Sequence, residues 1–234
     1  MKNETTTKKS SSKLIWDIPT RITHWLLALM ILGSWYTMEV SYDITKHKYC
    51  GYAILVLVIF RMVWAFIGTK YALAKNCLFS PKEIFNYGKT LFSREKSAYA
   101  GHNPLGSLAI FAMLLLLTIQ VVTGLFSADN DYYEFGPLYF WIPEDLSYRL
   151  TTLHFQNFDF LLAVIGLHIF AVFFYLIVKR SNLITPMFTG KKPSLAEDQE
   201  AIQHSKKGVA LTLIIICIAI VYAIAVYAPQ VSFF

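Results

Sequence analysis

At 234 residues, 56% hydrophobic and 16% aromatic, with a mean hydropathy of +0.47, the chain is too apolar for a soluble domain of its size. Its net charge of +6 is a topology signal rather than a nucleic-acid footprint, because the basic residues gather between apolar segments. Three isolated cysteines, Cys50, Cys77 and Cys217, with no CxxCH, exclude covalent c-type haem attachment and paired-cysteine zinc or iron–sulfur sites.

The opening MKNETTTKKSSSK is polar and low in complexity and reads as a disordered tail, residues 1–15. Five membrane spans follow, at about Ile22–Val40, Gly51–Gly68, Leu105–Phe126, Phe155–Val178 and Gly208–Ala228. The first lacks a small-x-small cleavage site and is longer than a signal h-region, so it is expected to be retained. All but Lys46, Lys48 and Arg149 of the 21 basic residues fall on one side of this arrangement. By the positive-inside rule that side is cytoplasmic, with the N-terminus inside and the C-terminus in the periplasm. A bacterial inner-membrane protein is the expectation.

His24 and Arg21 stand at the cytoplasmic entry of span one, in TRITHW. Alone, His24 reads as an interfacial residue. HKYCGY opens span two from outside; Gly51 lies one turn after His47, where a missing side chain leaves room for a flat ring. Arg61 follows His47 by fourteen residues, close to four turns, and so faces the same side near the cytoplasmic end. An intramembrane arginine calls for a partner: a haem propionate or, equally, lipid headgroups reached by snorkelling.

The next loop contains SPKEIFNYGKTLF, expected as a short helix with Pro81 in its first turn. It ends in YAGHNPLG, where His102 sits at the membrane surface, suited to contact a propionate, line a quinone pocket or cap the following helix. Gln120, five turns up the same face, reads first as interhelical glue and second as a cofactor contact. The segment Ser127–Thr152 is read as a long, aromatic, acidic outer loop that docks a partner or covers a cofactor.

Span four carries His154 and His168, fourteen residues apart. That is about 21 Å along a helix axis and nearly four whole turns, so both imidazoles leave on one face, one near each surface of the membrane. A polar linker (193–207) containing a solvated His204 precedes a fifth helix without histidine or internal charge (208–234).

Sorted by depth, four histidines form two pairs: His24 with His168 on the cytoplasmic side, and His47 with His154 on the periplasmic side. Each pair can bind one iron from both faces. Two b-type haems with both axial positions filled have no open site for oxygen chemistry at the metal, which points to electron transfer. The expected fold is an all-α integral membrane protein: a four-helix diheme bundle over 16–192 plus a fifth C-terminal transmembrane helix. The candidate cofactor contacts are His24, His47, His154, His168, Arg61, His102, Gly51 and Arg21, with the four bundle histidines as metal ligands.

RITHW, HKYCGY followed by RMVWAFIG, YAGHNPLG, and LHFQ…GLH…PMFTGKK, in that order, resemble the prokaryotic cytochrome b561 superfamily, which includes b-type cytochrome subunits of membrane-bound nickel–iron hydrogenases. The resemblance implies that His24, His47, His154 and His168 match the family's haem ligands by position. It also implies electron exchange with the quinone pool and, in many members, with a periplasmic redox protein. The fifth helix and the basic tail depart from the compact four-helix form. An electron-transfer subunit serving such a partner is the first reading. A stand-alone quinone-linked oxidoreductase acting on a small species such as superoxide is the second, and a haemless transporter or scaffold the third. Membrane lipid and quinone are expected partners, nucleic acid is not.

Overall fold

The computed structural model describes residues 12–91, 93, 99–129, 134–193 and 200–227. Most of the expected tail (1–11), part of the linker (194–199) and the chain end (228–234) lie outside them. Five long helices dominate: α1 (Ile18–Glu39), α2 (Ile44–Ile67), α4 (Pro104–Leu125), α5 (Glu144–Ile177) and α7 (Lys207–Tyr227), with α3 (Pro81–Lys89) and α6 (Ile184–Thr189) short. Two-residue strands pair as β1 (Lys13–Leu14) with β4 (Lys191–Lys192), and β2 (Ala128–Asp129) with β3 (Glu134–Phe135).

Four helices, α2, α4, α5 and α7, are long and apolar enough to cross a membrane. The expected first span is helical but falls outside that set, because Thr20, Arg21, Thr23 and His24 at one end and Ser34, Thr37 and Glu39 at the other dilute its apolar content. Its outward face is nonetheless apolar. Ile22, Leu26, Leu29 and Tyr36, at three-, four- and seven-residue steps, are all exposed. A stripe of that length facing water would be costly, and facing lipid it is not.

Helix boundaries follow local chemistry. Asp17, Ser80 and Asn103 cap α1, α3 and α4 through their side chains, each ahead of a proline in the first turn. Ser80 and Glu83 form a reciprocal capping box, so the short helix expected around Pro81 is present. The expected outer loop is shorter than read from hydropathy. Pro143 ends it and α5 begins at Glu144, with Glu144 and Asp145 in its first turn where the helix dipole favours carboxylates. The polar face of EDLSYRLTTLH had hidden that extra helix.

Helix α2 is the hub, packing on α1, α4 and α7, while α4 also packs along α5. The main core joins Ile54, Leu55 and Val58 of α2 to Leu117 and Val121 of α4, Leu161 of α5 and Val221 of α7. Helix α7 also covers Phe60 and Trp64 through Ala210 and Cys217. Helices α1 and α5 face one another without close packing, leaving a slot between the α1–α2 and α4–α5 layers.

Segments read as tail and linker are partly built into the end of the bundle expected to be the inner one. Lys13 and Leu14 pair with Lys192 and Lys191, Ile15 is fully buried, and Ile202 N donates to Leu14 O at 2.9 Å. The disordered reading of the opening therefore fails from Lys13 onward, because β4 and Gly190 supply backbone partners. Ile15 N and Trp16 N both donate to Gly190 O, at 2.8 and 3.1 Å. Gly190 has φ +80°, and a Cβ there would meet Trp16 O at 2.7 Å, so this seat requires glycine.

Candidate functional site

The slot between the layers holds two histidine pairs. At the outer end, His47 sits in the first turns of α2, where Asp43 receives Lys46 N on its side chain at 2.9 Å and His47 N on its carbonyl at 3.0 Å. His154 approaches from α5, and the two ring centres are 6.3 Å apart with planes at 84°. At the inner end, His24 of α1 and His168 of α5 stand 6.3 Å apart with planes at 57°. A metal held at about 2 Å by one nitrogen of each ring, the usual metal–imidazole distance, sets ring centres about 6 Å apart once the ring radii are counted. Both pairs meet that requirement, so the residues fit an iron with two axial imidazoles.

Hydrogen bonds decide which nitrogen is free at the outer pair. His47 Nδ1 lies 3.1 Å from the backbone carbonyl of Ser34, and His154 Nδ1 lies 3.0 Å from that of Gln120. A carbonyl only accepts, so each Nδ1 carries the proton and each Nε2 keeps a lone pair for a metal. Ser34 Oγ and Thr123 Oγ1 sit beside the same Nδ1 atoms, at 3.1 and 3.2 Å. The Gln120 amide lies 3.1 Å from His154 Nε2, oriented by Asn157 Nδ2 donating to Gln120 Oε1 at 2.6 Å. An iron held at His154 Nε2 would displace that amide. Gln120 thus joins α4 to α5 through both His154 and Asn157.

An outer cavity of about 470 Å³ surrounds this pair, walled by Ile31, Gly51, Leu117, Gly124, Phe135 and Phe158 among others. That volume lies within the ordinary range for cofactor pockets. Gly51 has open space where a Cβ would stand, as its spacing from His47 suggests. Phe135 and Gly136 of the outer segment close part of the wall, so that segment covers the site.

The inner pair is built differently. The side chain of Asp17, 1% exposed, caps α1 by accepting from Thr20 N at 2.6 Å and also accepts from Trp64 Nε1 at 3.2 Å and from Thr69 Oγ1. This ties the start of α1 to the end of α2 and so fixes the height of His24. Trp25 lies edge-on to His24 and hydrogen-bonds Met187 O at 3.2 Å. Arg21 donates from Nη1 to Phe188 O. His24 Nδ1 and Arg21 Nε are buried with no hydrogen-bond partner among the described residues, which marks places where a group outside the chain belongs.

Arg61 and His102 lie on this inner side. Arg61 Nη1 donates to Ala72 O at 3.3 Å, in the loop after α2. His102 does not cap α4, since Asn103 does. It packs against Trp16 with ring centres 4.5 Å apart and places Nδ1 3.6 Å from Cys77 Sγ. Burial first, and then the nearby cations Arg61 and Lys192, drive its pKa down to about 3. A cavity of about 250 Å³ opens beside it, lined by Tyr71, Cys77, Phe79 and Tyr99.

The structure thus gathers His47, His154 and Gly51 at one end and His24, His168, Arg21, Arg61 and His102 toward the other. Sequence reading missed Ser34, Thr123, Asn157 and Asp17. These are short polar residues whose roles depend on a neighbouring helix, and only their presence in apolar spans hinted at them.

Relatives point the same way. A protein of Rhizobium leguminosarum bv. viciae named "Probable Ni/Fe-hydrogenase B-type cytochrome subunit" is 26% identical over 225 residues, covering 81% of this chain and 91% of the relative. An Escherichia coli K12 "Probable Ni/Fe-hydrogenase 1 B-type cytochrome subunit" is 24% identical over 155 residues, 54% of this chain and 65% of the relative. The corresponding protein of Azotobacter vinelandii is 25% identical over 221 residues, 78% of this chain and 89% of the relative. No solved structure matches. The profile of the family described as prokaryotic cytochrome b561 matches residues 15–190, and the chain, an integral membrane protein of the b-type cytochrome class, belongs to that family.

Proposed function

We propose that this protein holds two b-type haems, one between His24 and His168 and the other between His47 and His154, and passes electrons across the inner membrane between the quinone pool and a redox protein at the periplasmic face. The reading rests above all on the 6.3 Å separation of both histidine pairs. When bound between these imidazoles, each haem would supply a one-electron iron couple. The chain's work is then to hold, orient and insulate. His47 and His154 are locked in one tautomer by the Ser34 and Gln120 carbonyls. Asp17 sets the start of α1 and hence the height of His24. Leu117, Val121 and Leu161 keep the middle of the slot apolar.

The clustering of basic residues supports an inner, cytoplasmic end at His24, His102 and Arg61. The hydrogenase subunits among its relatives suggest a hydrogenase-like protein as partner. The test is quantitation of haem b in the purified chain, with a reduced-minus-oxidised spectrum. Two haems per polypeptide are expected; a ratio of one, or a colourless preparation from haem-replete cells, overturns the reading.

A further inference from the structure

We infer that the ring stack Phe135–Tyr139–Phe140 leads from the wall of the His47–His154 cavity to an exposed patch at Phe140 and Trp141, and that this patch docks a soluble one-electron redox protein with a basic rim. The inference rests on the two-haem reading above and names the face and the charge of the partner.

The stack begins at the outer site. Phe135 lines the cavity around His47 and His154. Its ring stacks on Tyr139 with centres 4.5 Å apart and planes at 29°, and meets Phe140 at 5.9 Å. Tyr139 and Phe140 meet edge to face at 4.8 Å. These are the spacings of aromatic rings in direct contact, so the three form a continuous packed path. Backbone bonds fix that path to the end of α4: Gly136 N donates to Ser127 O and Leu138 N to Leu125 O, both at 2.8 Å. A Cβ on Gly136 would meet Gly124 O at 2.6 Å, and a Cβ on Gly124 would meet the His154 ring.

The far end of the stack is open. Phe140 is 47% exposed, Trp141 64% and Leu146 40%. Helix α5 is 34 residues long, about 51 Å at 1.5 Å per residue, against roughly 30 Å of hydrocarbon. Lys179 and Arg180 follow its inner end, so the surplus stands beyond the outer surface and carries this patch with it. Lipid therefore does not cover these rings. Apolar side chains grouped at a water-facing surface and rimmed by polar ones mark a docking site for another protein.

The rim decides which kind. Glu144 and Asp145, three and four residues after Trp141, form no ion pair among the described residues. Lys46 and Lys48 are already paired, with Asp43 and Glu134. Arg149 is the one other base in residues 39–48 and 127–159. A partner with a basic face is steered toward such a surface, and an acidic one is turned away. A patch this small suits the brief encounters by which proteins exchange electrons. In the encounter one electron passes between the partner's centre and the iron between His47 and His154; one is oxidised, the other reduced, and no bond forms or breaks.

The test uses the purified haem-loaded protein and two forms of one probe: a basic c-type cytochrome, and the same cytochrome with its lysines succinylated. Reoxidation of the reduced b-type centres by each probe is followed by stopped flow. The basic form should react roughly tenfold faster or more at low salt and lose that advantage as salt rises. A Phe140→Ala/Trp141→Ala double variant should raise the half-saturating probe concentration about tenfold with haem content unchanged. Phe135→Leu keeps the wall apolar but breaks the stack, so it should slow transfer at saturating probe and leave half-saturation in place. Carbodiimide coupling should join lysines of the basic cytochrome to Glu144 or Asp145, as read by peptide mass spectrometry. Equal rates with the two probes, a double variant that reacts like wild type, an unchanged saturating rate in Phe135→Leu, or cross-links confined to the other end of the molecule overturns the inference while leaving two haems in place. A wild type with fewer than two haems removes the reading beneath it as well.

Discussion

Gly124 lies so close to His154 that a Cβ on it would stand 3.0 Å from Cε1 and 3.3 Å from Nδ1 of the imidazole. The ring is already fixed on its other sides by the Gln120 carbonyl and the Thr123 hydroxyl. Moving away from such a Cβ would break both contacts. Gly124 thus belongs to the outer site although it carries no chemistry of its own.

Gly124→Val is therefore expected to displace the His154 ring and halve the haem content while leaving the inner pair loaded. Gly51→Ala is the contrasting case, since nothing stands within 4 Å of a Cβ there. Replacing a helical glycine by alanine is worth roughly 0.5–1 kcal/mol, so that variant should fold at least as well as wild type, while its methyl, standing in the cavity beside His47, lowers the haem content of the outer site without displacing His154. Haem quantitation and thermal melting in detergent report both outcomes.

His168→Ala should remove one haem and leave the other between His47 and His154. Measured as haem b per polypeptide, the ratio should fall from two to one. A variant that still carries two would show that His168 is not an axial ligand and would dissolve the inner pair.

Asp17→Ala should destabilise the inner end. The substitution strips the acceptor from Thr20 N, Trp64 Nε1 and Thr69 Oγ1, all buried. Leaving buried donors unpaired costs about 1–3 kcal/mol each where water cannot enter. A lowered melting temperature and preferential loss of the inner haem are expected. Equal loss from both sites would argue against a specific link between Asp17 and His24.

Lys179 is a buried lysine at the end of α5 whose Nζ donates to Thr90 O at 2.9 Å and Ser93 O at 2.6 Å. It fastens the end of α3 to the bundle. Lys179→Met keeps the apolar stem and loses the donor, so limited proteolysis near residues 89–93 should speed up severalfold with haem content unchanged. Protection equal to wild type would show that Lys179 does not anchor α3 and that its other contacts, among them the Tyr87–Tyr175 hydrogen bond at 2.8 Å, suffice.

Much of this protein was written along the chain. A helix is local: its rise per residue and its periodicity fix the depth and face of every side chain from sequence position alone. That is why His154 and His168, fourteen residues apart, could be assigned to opposite ends of one face, with His47 set at the height of His154 and His24 at that of His168. Pro81 marked the start of α3 for the same local reason. The polar start of α5 escaped because a hydropathy reading discards helical residues that are not greasy.

What the sequence could not decide lies between helices. Whether an imidazole offers Nε2 or Nδ1 depends on which carbonyl of another helix faces it, as Ser34 does for His47. The contact of Gln120 with His154, the clasp of Asp17 on Trp64 and the pairing of Lys13 with Lys192 join residues far apart in the chain. Such contacts depend on how each helix is rotated and how closely its neighbour approaches, and packing settles both only when the whole bundle has assembled.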